Sequence, residues 1–312
     1  MKRTLDAAKE PAKQKRMTDF FQSKAASSGF YAAKASGSKA FADPEMKIIA
    51  STEVATSCKD AVRLHNGVAM PVLGFGTYAL GKKAEASVKV ALETGYRLID
   101  TGQIYERGNT ERAVGSALQK SGLKRSEVFI STKVWRTHHG FEKTIAACTQ
   151  SLKRLELEYI DLYMIHWPGP QPSSTHWTPE TRAETWKALE KLLKDGKVRA
   201  IGVCNYSIRH LKELLKTCEI KPMVNQVEVH PWLIQKELQT FCRDEGIAVQ
   251  AFASLGSSDS KRAQDFFALP AIKAPALRCG TSSAAVLLRW SVQKGCHVIP
   301  KSSDPERIRK NA

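Results

Sequence analysis

Four side chains that can hold or transfer a proton lie at or just after the ends of short apolar runs: Asp100, Tyr105, Lys133 and His166. A carbonyl group that accepts a hydride develops negative charge on its oxygen and needs a proton. Tyr105 could supply that proton, although a free phenol with a pKa of about 10 is a weak acid near neutral pH. An ammonium at Lys133 would lower that pKa because it stabilises the phenolate. Asp100 would keep Lys133 charged and in place, and His166 would donate a hydrogen bond to the substrate oxygen.

Each of these four residues also has a simpler interpretation. A charged residue after a strand is usually a solvated loop residue, and a tyrosine there is more often a packing residue than a catalytic one. The four can act together only if the fold brings the ends of neighbouring strands to one place.

From about residue 60 onwards, the sequence alternates short apolar runs with amphipathic stretches, in the order strand and then helix. Near-continuous apolar runs are typical of parallel strands that are covered on both faces. The predicted strands are 72–76, 97–101, 128–133, 160–166, 200–203, 223–228, 247–253 and 297–300. The predicted helices lie near 84–94, 109–121, 140–155, 181–195, 207–217, 234–245 and 282–294. This order predicts a (β/α)8 TIM barrel of the α/β class, whose active site lies at the carboxyl ends of the strands.

Glycines directly follow five of the predicted helices, at a position where a left-handed residue commonly ends a helix. They are Gly95, Gly122, Gly196, Gly246 and Gly295. Ahead of the first barrel strand, residues 62–70 predict a β-hairpin with its turn at Asn66 and Gly67. We expect this hairpin to close the bottom of the barrel.

Two other motifs suggest different chemistry. Residues 74–79, Gly-Phe-Gly-Thr-Tyr-Ala, fit the G-x-G-x-x-A pattern of a doubly wound dinucleotide-binding fold. No helical pattern follows them directly, so the barrel is favoured. Asp100 does lie near the position at which a doubly wound fold would have its acidic residue. His138 and His139 suggest a metal site, but no carboxylate or cysteine stands at ligand spacing, and the start of a helix explains them better. We therefore expect no metal.

The longer motifs of the chain resemble those of the aldo-keto reductase family. They are GFGTY at 74–78, YRLIDTGQIYERGNTERAVG at 96–115, VFISTKVW at 128–135, LEYIDLYMIHWP at 157–168, VRAIGVCNY at 198–206, VNQVEVHP at 224–231, VIPKS at 298–302 and PERI at 305–308. They run from about residue 60 to the C-terminus in the order that the family shows. The resemblance implies a barrel enzyme that reduces a small-molecule aldehyde or ketone with NADPH. It also implies a catalytic tetrad of Asp100, Tyr105, Lys133 and His166.

The resemblance extends to a cofactor site. The residues that match it are Gly76, Thr77, Tyr78, Cys204, Asn205, Gln226, Phe252, Leu255, Lys301, Ser302, Arg307 and Asn311. By the resemblance, Asn205 and Gln226 would bind the nicotinamide carboxamide, and the ring of Phe252 would stack on the nicotinamide.

The expected phosphate site lies at the last predicted strand. Lys301, Ser302 and Arg307 resemble the residues that bind the adenosine 2′-phosphate. Two cations at a helix N-terminus suit a phosphate dianion, so the resemblance favours NADPH over NADH. Trp135 and Trp167, together with His166, would line the substrate pocket.

Three features depart from the family pattern. Cys204 stands where a serine is usual, which removes one strong donor to the carboxamide. Lys310 replaces an acidic residue that helps to bind the adenine side, while Asn311 is kept. The sequence ends at Ala312, where the eighth helix begins, so the resemblance leads us to expect a truncated eighth helix without the loop that covers the pocket. These departures bear on cofactor affinity, stability and substrate choice.

Residues 1–57 are rich in Ala, Ser, Lys and Gly and show little apolar periodicity. Such a segment buries too little surface to offset its ordering entropy, so we predict a disordered basic tail. The barrel domain is then expected at residues 58–312.

Within this tail, Gln14, Met17, Phe20 and Phe21 resemble the peptide box that binds the proliferating-cell nuclear antigen sliding clamp. One helical turn would bring the three apolar side chains to one face, with Gln14 in a polar pocket. Two alternatives stay open: the tail packs back on the barrel, or it is an organelle transit peptide.

The net charge of +17 is spread along the chain without a long basic run, so direct nucleic-acid binding is not expected. No apolar run is long enough to span a bilayer, and we expect no membrane partner. The odd, unpatterned set of seven cysteines indicates reduced thiols in the cytoplasm, and the clamp-like box leaves a nuclear location open. The chief alternative function is a cofactor-binding regulatory protein with negligible turnover, tethered to the sliding clamp.

Overall fold

The computed structural model describes residues 46–51, 53, 55–169, 179–256 and 260–312 of the chain. The strands are β1 (Lys47–Ile49), β2 (Asp60–Arg63), β3 (Ala69–Pro71), β4 (Gly74–Gly76), β5 (Leu98–Asp100), β6 (Phe129–Val134), β7 (Ile160–Ile165), β8 (Val198–Cys204), β9 (Val224–Glu228), β10 (Ala248–Phe252) and β11 (Cys296–Val298). The α-helices are α1 (Ala84–Thr94), α2 (Asn109–Lys120), α3 (Phe141–Leu155), α4 (Pro179–Lys194), α5 (Ile208–Leu215), α6 (Lys236–Asp244), α7 (Ser260–Ala268), α8 (Pro270–Arg278), α9 (Ser283–Gln293) and α10 (Pro305–Lys310). Among the described residues, no helix is both long enough and apolar enough to cross a membrane.

Strands β4 to β11 form one eight-stranded parallel sheet in which neighbours in the chain are neighbours in space. A parallel bridge between Leu73 and Val298 joins the two ends of this sheet, and the amide of Gly76 donates to the carbonyl of Pro300 at 3.0 Å. These contacts close the sheet into a (β/α)8 barrel, which confirms the predicted fold class. The carboxyl ends of all eight strands therefore meet at one mouth.

The predicted strands and helices of the barrel are confirmed, with ends that differ by no more than two residues. The five glycines expected to end helices all have positive φ, between +70° and +109°. Because a residue without a Cβ adopts this conformation at little cost, these positions mark where each helix stops.

The sequence predicted no helix between β10 and α9, yet α7 and α8 lie there. Pro270 occupies the first turn of α8, where a missing N–H costs nothing. Phe266, Ile272 and Leu287 form a small separate apolar cluster. Packing against α9, rather than local pattern, therefore makes this segment helical.

Strands β1, β2 and β3 form a second sheet. Strands β2 and β3 are the antiparallel arms of the predicted hairpin, whose turn includes Gly67 with a φ of +87°. The Nδ2 atom of Asn66 donates to the carbonyl oxygen of Arg199 at 2.9 Å, near the start of β8. The hairpin therefore lies at the amino-terminal end of the barrel strands, as predicted.

The prediction of a disordered tail up to residue 57 is wrong for its last residues. Strand β1 pairs in parallel with β2, and Ile49 and Ala55 are buried in a cluster with Val72. A three-residue strand is too short to show an alternating pattern, so its pairing could not be read from the sequence. The clamp-like box at 14–21 lies outside the described residues.

Candidate active site

The mouth of the barrel brings all four predicted catalytic residues together. Asp100 is the last residue of β5, Lys133 lies near the end of β6, His166 follows β7, and Tyr105 begins a short 3-10 turn after β5. The Nζ atom of Lys133 is 2.7 Å from Asp100 Oδ2 and 3.5 Å from the phenolic Oη of Tyr105. The ring centroids of Tyr105 and His166 are 5.8 Å apart. With the Lys133 ammonium this close to its hydroxyl, Tyr105 is placed as a proton donor requires. The catalytic roles of the four residues stay predictions.

Lys133 is a fully buried cation. It donates hydrogen bonds of 2.7 Å to the Asp100 carboxylate and to the carbonyl oxygen of Thr101. Burial, the largest single effect, lowers the pKa of Lys133, but the charge and hydrogen bond of Asp100, together with Tyr105 and Cys204, raise it above its usual value. Lys133 is therefore charged at neutral pH.

Asp100 is held by three donors from two other strands, β6 and β9. Its Oδ1 accepts from Ser131 Oγ at 2.7 Å and from Gln226 Nε2 at 2.9 Å, while Oδ2 accepts from Lys133. These three hydrogen bonds fix the position of the carboxylate beside Lys133 in the barrel interior.

Tyr105 differs from the expectation. Burial raises the pKa of Tyr105 to about 12, although the positive charge of Lys133 acts in the opposite direction. Lys133 does act to lower this pKa, as predicted, but the loss of hydration disfavours the phenolate more than the ammonium favours it, so the net pKa lies above that of a free phenol. At neutral pH the phenol keeps its proton, which is the form that a proton donor requires.

His166 is half-buried, and its Nδ1 has no hydrogen-bond partner among the described residues. Burial, together with the charges of Lys133 and Arg136, holds the pKa of His166 well below its usual value. The ring is therefore neutral at neutral pH and has one N–H to donate.

Aromatic side chains surround this cluster. The ring of Tyr78, which is 57% exposed, lies 5.2 Å from that of Tyr105, and the ring of Trp135 lies 5.1 Å from that of His166. The guanidinium of Arg136 lies over both Trp135 and Trp167, at 5.2 and 4.5 Å. The guanidinium of Arg136, which the sequence did not single out, thus contacts both predicted pocket tryptophans.

The residues predicted for the carboxamide site follow β8 and lie within β9. Asn205 adopts a left-handed conformation with a φ of +63°, and its Nδ2 donates to the carbonyl oxygen of His166 at 2.9 Å. Gln226 donates to Asp100 and to Gln250, so it belongs to the same network as the lysine. The thiol of Cys204 is buried, its Sγ lies 3.7 Å from the Sδ of Met164, and burial raises its pKa.

Gln250 was missed by the sequence reasoning. It stands two residues before Phe252 on β10 and is fully buried in the barrel. A polar residue inside an apolar strand was the available signal, since a buried amide needs a partner.

The first-strand residues meet the end of β11. A Cβ on Gly76 would lie 2.8 Å from the carbonyl oxygen of Ile299, so only glycine fits at this position. Thr77 is fully buried and its hydroxyl donates to the carbonyl oxygen of Asp100 at 2.9 Å. Phe252 and Leu255, at the end of β10, are half-buried.

The predicted phosphate site lies at the end of β11 and on α10. Lys301 and Ser302 are half-buried and Arg307 is exposed. The Asp304 carboxylate caps α10 and accepts from the amides of Glu306 and Arg307 at 2.9 and 3.1 Å. In the protein without ligands these two amides are occupied by Asp304, and phosphate binding by Lys301, Ser302 and Arg307 stays a prediction.

The remaining predicted residues of this region lie at its outer edge. Lys310 is exposed and pairs with Glu306 at 2.6 Å, and Asn311 is half-buried after the last turn of α10. Within the described ranges, no group of three or more residues of the types that ligate metals is found, and His139 packs as a buried side chain.

Known proteins match this chain over most of its length. The model of the aldo/keto reductase family matches residues 72–312. A glyoxal reductase of Bacillus subtilis is 48% identical over 259 residues, which cover 82% of this chain and 87% of that protein. A 9,11-endoperoxide prostaglandin H2 reductase of Trypanosoma cruzi is 45% identical over 254 residues, with coverages of 81% and 84%. The crystal structure of an aldo-keto reductase of Bombyx mori in complex with NADP has a TM-score of 0.74 and 32% identity, covering 80% of this chain and 86% of that chain.

Proposed function

Because the chain belongs to the aldo/keto reductase family, we propose that it is an NADPH-dependent oxidoreductase that reduces a small aldehyde or ketone to the alcohol. The observation that carries this proposal is the buried pair of Asp100 and Lys133, whose ammonium lies 3.5 Å from the Tyr105 hydroxyl at the barrel mouth. A cation buried next to a protonated phenol has little value for stability alone, since replacing buried ion pairs by apolar residues is often neutral. It has clear value where that phenol must release a proton.

The side chains at the mouth fit NADPH in charge and in hydrogen-bonding capacity. Both N–H groups of the Gln226 amide are used within the protein, so its carbonyl oxygen remains as an acceptor for a carboxamide. The half-buried ring of Phe252 offers a face for stacking. Lys301 and Arg307 supply positive charge for a phosphate group. When bound, the cofactor supplies the hydride.

Tyr105 donates its hydroxyl proton to the substrate oxygen as that oxygen gains negative charge. The phenolate that results is stabilised by the Lys133 ammonium, which Asp100 keeps oriented. The neutral ring of His166 donates one hydrogen bond to the same oxygen and so orients it. Trp135 and Trp167 limit access of water to the reacting atoms.

Small reactive aldehydes such as glyoxal are the first substrates that we propose, because the relative with 48% identity is a glyoxal reductase. The pocket residues that the structure describes include aromatic rings, neutral donors and the Arg136 guanidinium near the reacting site. They would accept a compact dicarbonyl whose second oxygen accepts a further hydrogen bond.

The replacement Tyr105→Phe tests the proposed mechanism. We expect the turnover number for glyoxal to fall by a factor of about 100 to 10,000, the usual contribution of a general acid, with NADPH binding within about threefold. Turnover is followed by NADPH oxidation, and binding by quenching of tryptophan fluorescence. Tyr159→Phe is the matched control, since Tyr159 stacks with Arg125 away from the mouth. Activity in Tyr105→Phe above a tenth of the original would contradict the assignment.

We also propose, from the sequence alone, that residues 14–21 dock on the sliding clamp. The double variant Phe20→Ala, Phe21→Ala should lose binding to purified clamp and keep its catalytic constants. Clamp binding that survives in this variant removes the hypothesis. A chain that binds NADPH and the clamp but reduces none of a panel of aldehydes would favour the regulatory alternative.

A further inference from the structure

A chain of hydrogen bonds from strand β10 ends on the catalytic carboxylate. Gln250 and Gln226 are direct partners in the register of β10 and β9, so their side chains leave the same face of the sheet. Gln226 Nε2 lies 2.6 Å from Gln250 Oε1 and 2.9 Å from Asp100 Oδ1. None of the three residues is more than 4% exposed.

Chemistry fixes the orientation of both amides. The Asp100 carboxylate can only accept, so the Gln226 atom that faces it is the nitrogen. The same nitrogen faces Gln250, whose facing atom must then be its carbonyl oxygen. The Gln226 oxygen therefore points away from both partners, and Gln250 Nε2 has no partner in the part of the chain that the structure describes.

We propose that Gln250 is a positioning residue for the reaction. By accepting one N–H of Gln226, it holds that amide with its second N–H on Asp100 and its oxygen free for the cofactor carboxamide. This inference rests on the proposed reductase function. Gln250 reaches the reacting atoms only through Gln226, Asp100 and Lys133, so its effect passes along that sequence of contacts.

Without Gln250, the Gln226 amide keeps one anchor instead of two and can turn about its last side-chain bond. Asp100 would still accept from Ser131 at 2.7 Å, so the carboxylate loses only part of its support. The hydrogen bond that is removed joins two neutral amides, and the expected loss is about tenfold in rate, at the upper end of the usual range for such a bond.

A double-mutant cycle on turnover tests this dependence. Gln250→Met keeps the volume of the side chain and removes its acceptor. We expect it to lower the turnover number about tenfold while the KM for the carbonyl substrate stays within about threefold. In a Gln226→Met background, the same replacement should change turnover by less than about twofold, since the Gln226 amide through which Gln250 acts is already absent. Additive losses in the cycle would overturn the proposal.

The second readout needs no turnover. In the protein without cofactor, the side-chain amide resonances of Gln226 should be slow to exchange with solvent, and Gln250→Met should shift them and speed their exchange. Gln119→Met, on the exposed face of α2, is the matched control and should leave them unchanged. Unshifted Gln226 resonances in Gln250→Met would overturn the inference. A wild-type chain that reduces no carbonyl would instead refute the proposed function, and the resonances would still decide whether Gln250 holds Gln226.

Discussion

Lys133 is charged while Tyr105 and His166 beside it are neutral, although all three are removed from water. The Asp100 carboxylate, 2.7 Å from Lys133, gives that lysine a counter-charge, and no carboxylate is in hydrogen-bond contact with the other two side chains within the described residues. Burial raises the pKa of the phenol against the opposing charge of Lys133, and it lowers that of the imidazole together with the charges of Lys133 and Arg136. The same rule produces a proton donor and a neutral hydrogen-bond donor at one site.

His139 shows the same effect away from the chemistry, and it makes stability depend on pH. Burial lowers its pKa to about 4, and neither ring nitrogen has a hydrogen-bond partner among the described residues. The unfolded chain binds a proton below about pH 6.5 while the folded chain stays neutral down to about pH 4, so stability falls as pH falls through this window. Between about pH 6.5 and pH 4 the wild type loses free energy of unfolding through this residue, and we expect His139→Gln to remove up to about 3 kcal/mol of that loss.

Urea unfolding of both proteins at pH 8, 6, 5 and 4 measures this contribution. Because both states are neutral at pH 8, the difference between variant and wild type should be constant above about pH 7 and should move in favour of the variant below it. A difference that does not change with pH would show that His139 has the same pKa in the folded and the unfolded chain.

At the scale of helices and strands, close approach between backbone atoms determines which residue can occupy a position. Helix α2 packs on α3 at Gly115, where an added Cβ would lie 2.5 Å from the carbonyl oxygen of Leu155. That oxygen is backbone at the end of α3 and cannot move aside as a flexible side chain would. Helix propensity favours alanine over glycine by about 1 kcal/mol, so packing and propensity oppose each other here.

We expect packing to win in Gly115→Ala. The replacement should destabilise the protein by about 1–3 kcal/mol, the usual cost of overpacking, in spite of the better propensity. Arg112→Ala, on the exposed face of the same helix, is the control and should change stability by less than about 0.5 kcal/mol. Denaturant unfolding compares the two, and a stabilised Gly115→Ala variant would mean that α2 and α3 separate easily.

At the scale of the whole molecule, the barrel is completed by residues from outside its eight strands. Strand β1 adds a parallel edge to β2, Ile49 and Ala55 cover Val72, and the Arg289 guanidinium donates to the carbonyl oxygen of Ala55. Residues that seemed part of a tail thus cover an apolar face at the bottom of the barrel, opposite the mouth.

Two truncated variants test how much these residues contribute. A chain that starts at Met46 keeps β1, and a chain that starts at Cys58 loses it. We expect the shorter chain to be less stable by about 2–4 kcal/mol, from the exposure of Ile49 and its neighbours. Because the longer chain is the reference, the comparison isolates residues 46–57. Equal urea midpoints for the two would show that β1 adds nothing to the fold.

The sequence by itself determined the barrel and the identity of its four polar residues at the mouth. Eight apolar runs with helices between them have few alternative arrangements, and the carboxyl ends of parallel strands must share one edge. For this reason Asp100, Lys133 and His166 could be placed together before any contact was known.

Only the tertiary structure decided what depends on contacts between distant residues. Gln226 and Asp100 are 126 positions apart, so no local pattern could reveal that they share a hydrogen bond, or that Gln250 supports it. The pKa of Tyr105 depends on how completely the fold removes it from water, and the sequence could not show that this burial outweighs the charge of Lys133. The helices α7 and α8 and the strand β1 form because of what they pack against. Local pattern fixes where strands and helices begin and end, whereas charge states and hydrogen-bond networks are set by the neighbours that the fold supplies.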